Sequence, residues 1–531
     1  MRSRNAVIGL VLLALGAGRA SLRGQTAELG RTDFPASGSA AAMPYFLKGL
    51  LLLHSFEYAD AAEEFRAAEK ADPGFAMAYW GEAMTYNHPL WMQRDRDAAV
   101  KALERLAPTK QARLAKAPTE RERMYLEAVE ELWAEGDKSG RDRAYADAMR
   151  RLHEKYPNDL DAAAFYGLAL LGTCEDKRDV RTYMEAAAIE EEVFAKNPQH
   201  PGAAHYLIHC YDDPVHAPLG QRAARVYAKI APAAVHALHM PSHIFFAAGM
   251  WDEAVEANEA SWKASVDRAA RKGLGPGEHS FHALSWLEYA YLQLGRWKDA
   301  RADLATMEKD EKVAPSATTT SALSAMRASW IVDTRRCEGV EPPADATAPR
   351  DHFVQGLCAL DRGEAKTAEA ALEALKTPAA KEEPGHTHGL VPGAYASRDA
   401  TVSKIFQTEL AALLALSRNE KDEAVRLAKE AAELEDKLSF DFGPPVVVKP
   451  AHELAGEVLL AVGKPADARR EFEGSLEGAP ERSLSLLGLA KAQAAAGETA
   501  ASKETYARLA KQWSRADADV PGRQEVLAAS R

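Results

Sequence analysis

Cysteine is scarce, with four residues in a chain of 531. That excludes a disulfide framework, and Cys174, Cys210, Cys337 and Cys358 allow three pairings that the sequence leaves open. Positive charge is not in excess either. With 66 Lys and Arg against 78 Asp and Glu the formal charge is −12, so no basic stripe is present to neutralise phosphates and nucleic acid is not an expected partner. Strand-like alternation of polar and apolar residues is missing over any long stretch. Past residue 24 no apolar run is long enough to span a membrane. There is no phosphate loop ending in Gly-Lys-Ser/Thr, no His-Glu-x-x-His and no Gly-x-Ser-x-Gly, which leaves nucleotide binding, zincin proteolysis and serine-elbow hydrolysis without support. Acidic residues are spread over the helical faces, and no pair stands out as a glycosidase dyad.

What the sequence does have is helix-forming composition and a beginning of its own kind. Arg2 and Arg4 precede an apolar stretch from Ala6 to Gly18, and Gly18-Arg19-Ala20 supplies small residues near a cut. Residues 1–24 therefore read as a secretory signal, with an uncleaved anchor as the alternative, and the expected location is the periplasm or beyond. Hydrophobic residues make up 47% of the chain, and Ala, Leu, Glu, Lys and Arg recur throughout. An all-helical fold covering a long core follows.

A beat runs through that helical pattern. Ala61, Phe65 and Ala68 lie at helical spacing, and Pro73 stops the run eight residues after the phenylalanine. Phe472 with Pro480, Met149 with Pro157 and Ala224 with Pro232 keep the same offset. Gly249-Met250-Trp251 and Gly295-Arg296-Trp297, with Ala254 and Ala300 three residues on, provide tight turns between paired helices. The recurrence of a helix pair near every 34 residues resembles the tetratricopeptide repeat family. The resemblance covers most of residues 43 to 515, is strongest at 43–76, 201–300 and 449–482, and is weakest between about 305 and 400. It implies an α-solenoid, a right-handed superhelix whose first helices line a concave groove. We expect one array at 43–305, an irregular helical and loop insertion at 306–400, and a second array at 401–515, so that two arms stack.

Histidine is where the chain departs from a plain scaffold. Nine of 16 histidines fall between His200 and His282. His205 and His209 are four apart, His239 and His243 are four apart, and one repeat length separates the pairs. Histidines four apart share a helix face, and adjacent helices pack about 8–10 Å from each other. These four are therefore expected to converge in the groove as ligands of a transition metal, zinc or copper first. The same register adds Asp212, His236 and His282 to the lining. Pro241 interrupts the second pair, because proline starts helices more readily than it continues them, which leaves His239 just outside a helix beginning there. His54 and His88, also 34 apart, are expected at equivalent late places of successive first helices, with Trp80 and Trp91 near His88 as a wall over a pocket. His386 and His388 lie in a Gly/Pro-rich loop that could reach over the groove. The functional expectation is a metal-binding repeat protein. The alternative is a periplasmic scaffold whose groove grips a peptide or partner protein without metal.

Overall fold

The computed structural model describes residues 28–91, 93–174, 178–376 and 396–530. The signal segment and the His386/His388 loop lie outside them. Among the described residues the chain is a succession of antiparallel helices, broken by one two-stranded hairpin in which Asn87 pairs with Arg94 and His88 with Gln93. It is an all-α helical repeat fold.

The punctuation read from the sequence ends helices in space. Tyr58–Ala71 stops before Pro73, Lys138–Lys155 before Pro157, Ala217–Ile230 before Pro232 and Pro465–Gly478 before Pro480. Asp95, Asp137, Asp159 and Asp179 cap the starts of four helices by accepting a backbone N–H, and Thr119 does so in a reciprocal box with Glu122. Each satisfies a donor that the first turn leaves open. Gly249 (φ 65°) and Gly295 (φ 67°) take the left-handed turn that lets helices begin at Trp251 and Trp297. The stretch expected as an irregular helical and loop insertion at 306–400 carries, as far as it is described, the helices Ala317–Thr334, Pro349–Asp361 and Ala365–Lys376. Its linking loops are rich in Pro and charge.

By contact density the chain forms two compact units. Among the described residues the first holds the chain to Tyr211 together with Arg222–Pro241. The second holds Asp212–Gln221 and the described chain from Ser242 on. The same packing device appears in each. In the first unit Phe65 lies between Gly49 and Gly81, where a Cβ at Gly49 would come 3.0 Å from the ring and one at Gly81 would collide with it. In the second, Phe472 lies between Gly456 (2.8 Å) and Gly488 in the same way. Both phenylalanines are fully buried and sit sixteen residues from each glycine. A large ring on one helix thus fills the space that two neighbouring helices vacate.

The first unit is tied down at its start by an ordered strap. Phe34 packs on Phe46, Trp80 and Tyr125, and Ser37 donates to the Glu122 carboxylate. The second unit contains a buried ionic knot. Arg482 is fully buried and donates to Glu453 (2.8 Å), Asp333 (2.7 Å) and the Tyr289 hydroxyl (2.9 Å). Lys449 donates to Glu453 from the other side (2.8 Å). Cys337 and Cys358 form a disulfide, while Cys174 is half-buried and Cys210 buried.

Candidate metal centre

His205 and His209 stand one turn apart on the helix Pro201–Tyr211, and both are buried. His236 comes from the short helix Val235–His239 and is half-buried. One ligand atom from each of the three lies within 4.8 Å of the others. The Nε2 atoms of all three are shielded from solvent. His205 Nδ1 lies 2.7 Å from the backbone oxygen of His54. A carbonyl can only accept, so Nδ1 carries the proton and Nε2 presents its lone pair. An outer acceptor that fixes the ring in this way is the usual support for a metal-bound imidazole.

Aromatic rings enclose the triad. Phe56 stands edge-on to His205 at 4.3 Å, Tyr227 stacks on His205 at 5.2 Å, and Trp91 meets His236 edge-on at 5.4 Å. Glu57 accepts a hydrogen bond from the His236 backbone N–H (2.7 Å), holding the short helix that bears the third imidazole. Three neutral imidazoles suit zinc, copper, iron or nickel, and they leave a tetrahedral ion one position for water or a ligand.

The other residues singled out in the sequence are not members of that group of three. His239 ends its short helix, and a new helix begins at Pro241. Its ring stands 5.9 Å from that of His236, yet it is not part of the triad. His243 belongs to the second unit, where its Nδ1 lies 3.1 Å from Asp212 Oδ2 and its ring 6.4 Å from that of His282. His88 is not on a helix. It sits on the hairpin, stacked 3.8 Å from Tyr58, with Nε2 3.1 Å from the Thr85 carbonyl. Of the two tryptophans near it, Trp91 reaches the triad, whereas Trp80 is fully buried core against Tyr125 and Phe165.

His54 belongs to a second, fully buried group that sequence spacing did not reveal. Its Nε2 donates to Asp161 (2.9 Å), and the Tyr206 hydroxyl donates to its Nδ1 (3.0 Å). Burial pulls His54 down to about 4, against the opposing pull of Asp161, so the ring is neutral at pH 7. Asp161 also receives the Thr32 hydroxyl (2.5 Å) and faces His200 Nε2 at 3.4 Å. Burial pushes the Asp161 carboxyl up, but His200 and His54 outweigh it and hold it well below the usual carboxylate range. His200 Nδ1 in turn accepts the Ala203 N–H (3.1 Å), which places its proton on Nε2, toward Asp161. With both nitrogens of His54 bonded to Asp161 and Tyr206, this group fixes the His54 carbonyl beneath His205. Its members come from four distant segments, and none carries a local signal.

No protein-family model matches the chain, and no curated protein matches it in sequence. Solved structures that resemble it include the APC/C hetero-tetramer Cut9–Hcn1, with 11% identity and a TM-score of 0.34 over 98% of this chain and 82% of that one. Yeast Tom70 gives 14% identity and a TM-score of 0.27 over 92% of this chain and 95% of that one. The assignment of the fold rests on the helix pairs themselves and not on these likenesses.

Proposed function

We propose that the protein is an exported helical-repeat protein that binds a divalent transition-metal ion, zinc or copper, through His205, His209 and His236. The observation that carries this reading is the approach of three imidazole ligand atoms within 4.8 Å in a buried, aromatic-walled position. The fixed tautomer of His205 supports it. Zinc takes nitrogen ligands at about 2.0–2.1 Å, so a small inward movement of the three rings closes the site. The open fourth position is of the kind that catalytic ions keep, which makes metal-assisted hydrolysis or oxidation the chemistry to screen.

Export is proposed from the basic and apolar start of the chain, and the Cys337–Cys358 disulfide is in keeping with an oxidising compartment. Fractionation of cells making the full chain tests it, with the protein recovered from the cytoplasm at full mass as the contrary result. Among the described residues no helix is long and apolar enough to cross a membrane.

Elemental analysis of protein purified without a histidine tag tests the metal, beside a His205→Ala/His209→Ala variant. An equivalent of metal lost in a variant that keeps its helical circular dichroism supports the site. A parent that stays empty at the triad after reconstitution leaves the alternative reading, a groove that holds a partner protein or peptide.

A further inference from the structure

The second unit has an imidazole and carboxylate group of its own. His243, on the helix Pro241–Ala247, and Asp212 are both buried, at 2% and 1% exposure. The contact from His243 Nδ1 to Asp212 Oδ2 is 3.1 Å. An ionised carboxylate only accepts, so the proton sits on Nδ1 and the lone pair on Nε2. His282 is the second residue of the helix Phe281–Gln293, whose start Ser280 caps. It offers a ligand nitrogen within 4.8 Å of one on His243. Trp286 and Phe442 flank the His243 ring at 4.6 and 4.7 Å and restrict its rotation. Trp286 is itself pressed against Gly443, where a side chain would collide with the indole. Asp441, beside Phe442, is paired with Arg398 at 2.5 Å and so is committed elsewhere.

We infer that His243 and His282 hold a second divalent transition-metal ion, with Asp212 as the positioning residue of His243. The carboxylate–imidazole pair fixes the tautomer and raises the basicity of the ligand nitrogen. The aromatic pair fixes its direction. Two protein ligands leave at least two positions of a tetrahedral ion for water or a small oxygen or nitrogen ligand. His282 is exposed, so those positions are reached from solvent, unlike the walled position at the triad. This site shares no residue with the triad.

The test is equilibrium dialysis of the full chain, stripped with chelator, against zinc alone, with elemental analysis of parent and variants. The parent is expected to bind two equivalents, His282→Ala one, and His282→Ala with His205→Ala/His209→Ala none. His282 is exposed, so its replacement leaves the fold intact, and circular dichroism checks this. Asp212→Asn is expected to keep the stoichiometry while weakening the second ion about 10- to 100-fold. If His282→Ala binds as much zinc as the parent, or the parent binds none, the inference is overturned. If the parent binds one ion that His282→Ala loses and His205→Ala/His209→Ala keeps, the second site stands and the triad falls. The reverse pattern keeps the triad and removes the second site.

Discussion

His205 Nδ1 rests 2.7 Å from the carbonyl oxygen of His54, a residue 151 positions earlier in the chain. Main chain, not a side chain, therefore sets the tautomer of a proposed ligand. Two consequences are measurable by competition with a chromophoric zinc chelator. His205→Gln is expected to lower zinc affinity at the triad by at least about 100-fold. Tyr206→Phe, which removes only the bond to His54 Nδ1, is expected to lower it by less than about 10-fold. In the parent, affinity should fall as pH drops from about 7.5 to 5.5, because protons compete for imidazole lone pairs. Flat binding across that range would mean that carboxylates, not histidines, hold the ion.

The Gly–Phe–Gly contacts predict where small changes are felt. Gly81→Ala and Gly488→Ala each drive a methyl into a buried phenylalanine ring. Each should destabilise its unit by about 1–3 kcal/mol, read from the urea midpoint. Gly478→Ala, at the end of its helix with nothing within 4 Å of the new Cβ, should change stability by less than about 0.5 kcal/mol. Equal effects at the three sites would show that the rings move aside.

Arg482 holds two buried carboxylates at once, Glu453 and Asp333. Arg482→Met takes the cation away from Asp333 and leaves Glu453 with Lys449 alone, and a loss of about 3–5 kcal/mol is expected in denaturant unfolding of the variant. A loss below about 1 kcal/mol would mean that water enters the cavity and resolvates them.

Glu288 is fully buried, and its carboxyl oxygens make no hydrogen bond. Burial, with Asp303 and Asp333 nearby, pushes its pKa well above the ordinary carboxyl range. The folded chain then keeps a proton that the unfolded chain releases above about pH 4.3, so stability falls as pH rises from there toward the folded value. Glu190 and Glu409 are shifted upward by burial in the same direction. Glu288→Gln mimics the protonated acid. It should exceed the parent by about 1 kcal/mol or more at pH 8 and approach it near pH 5, in parallel thermal melts.

How far the sequence could be read depended on the range of each signal. Helix pairs were legible because apolar spacing and proline stops are local, which is why Phe65 and Phe472 stood out at once. The glycines that receive their rings did not, since a glycine inside a helix reads as weakness until a neighbouring ring is seen to need the space. Pro241 foretold the break after His239 correctly, because proline acts on the residue beside it. The placing of His88 on a helix failed at a hairpin in which Asn87 and His88 pair with Arg94 and Gln93. His205 and His209 were legible as a pair. Their partnership with His236, and the Asp161 knot beneath them, depend on segments more than a hundred residues apart in some cases, and no periodicity reports that.

Phe65 and Phe472 each stand at equal chain distance from the glycine before and the glycine after. In both cases the ring meets one glycine across the loop before its helix and the other across the loop after it. Those loops are therefore part of the fit: a residue added to one carries a side chain into the place the ring fills unless it is looped out.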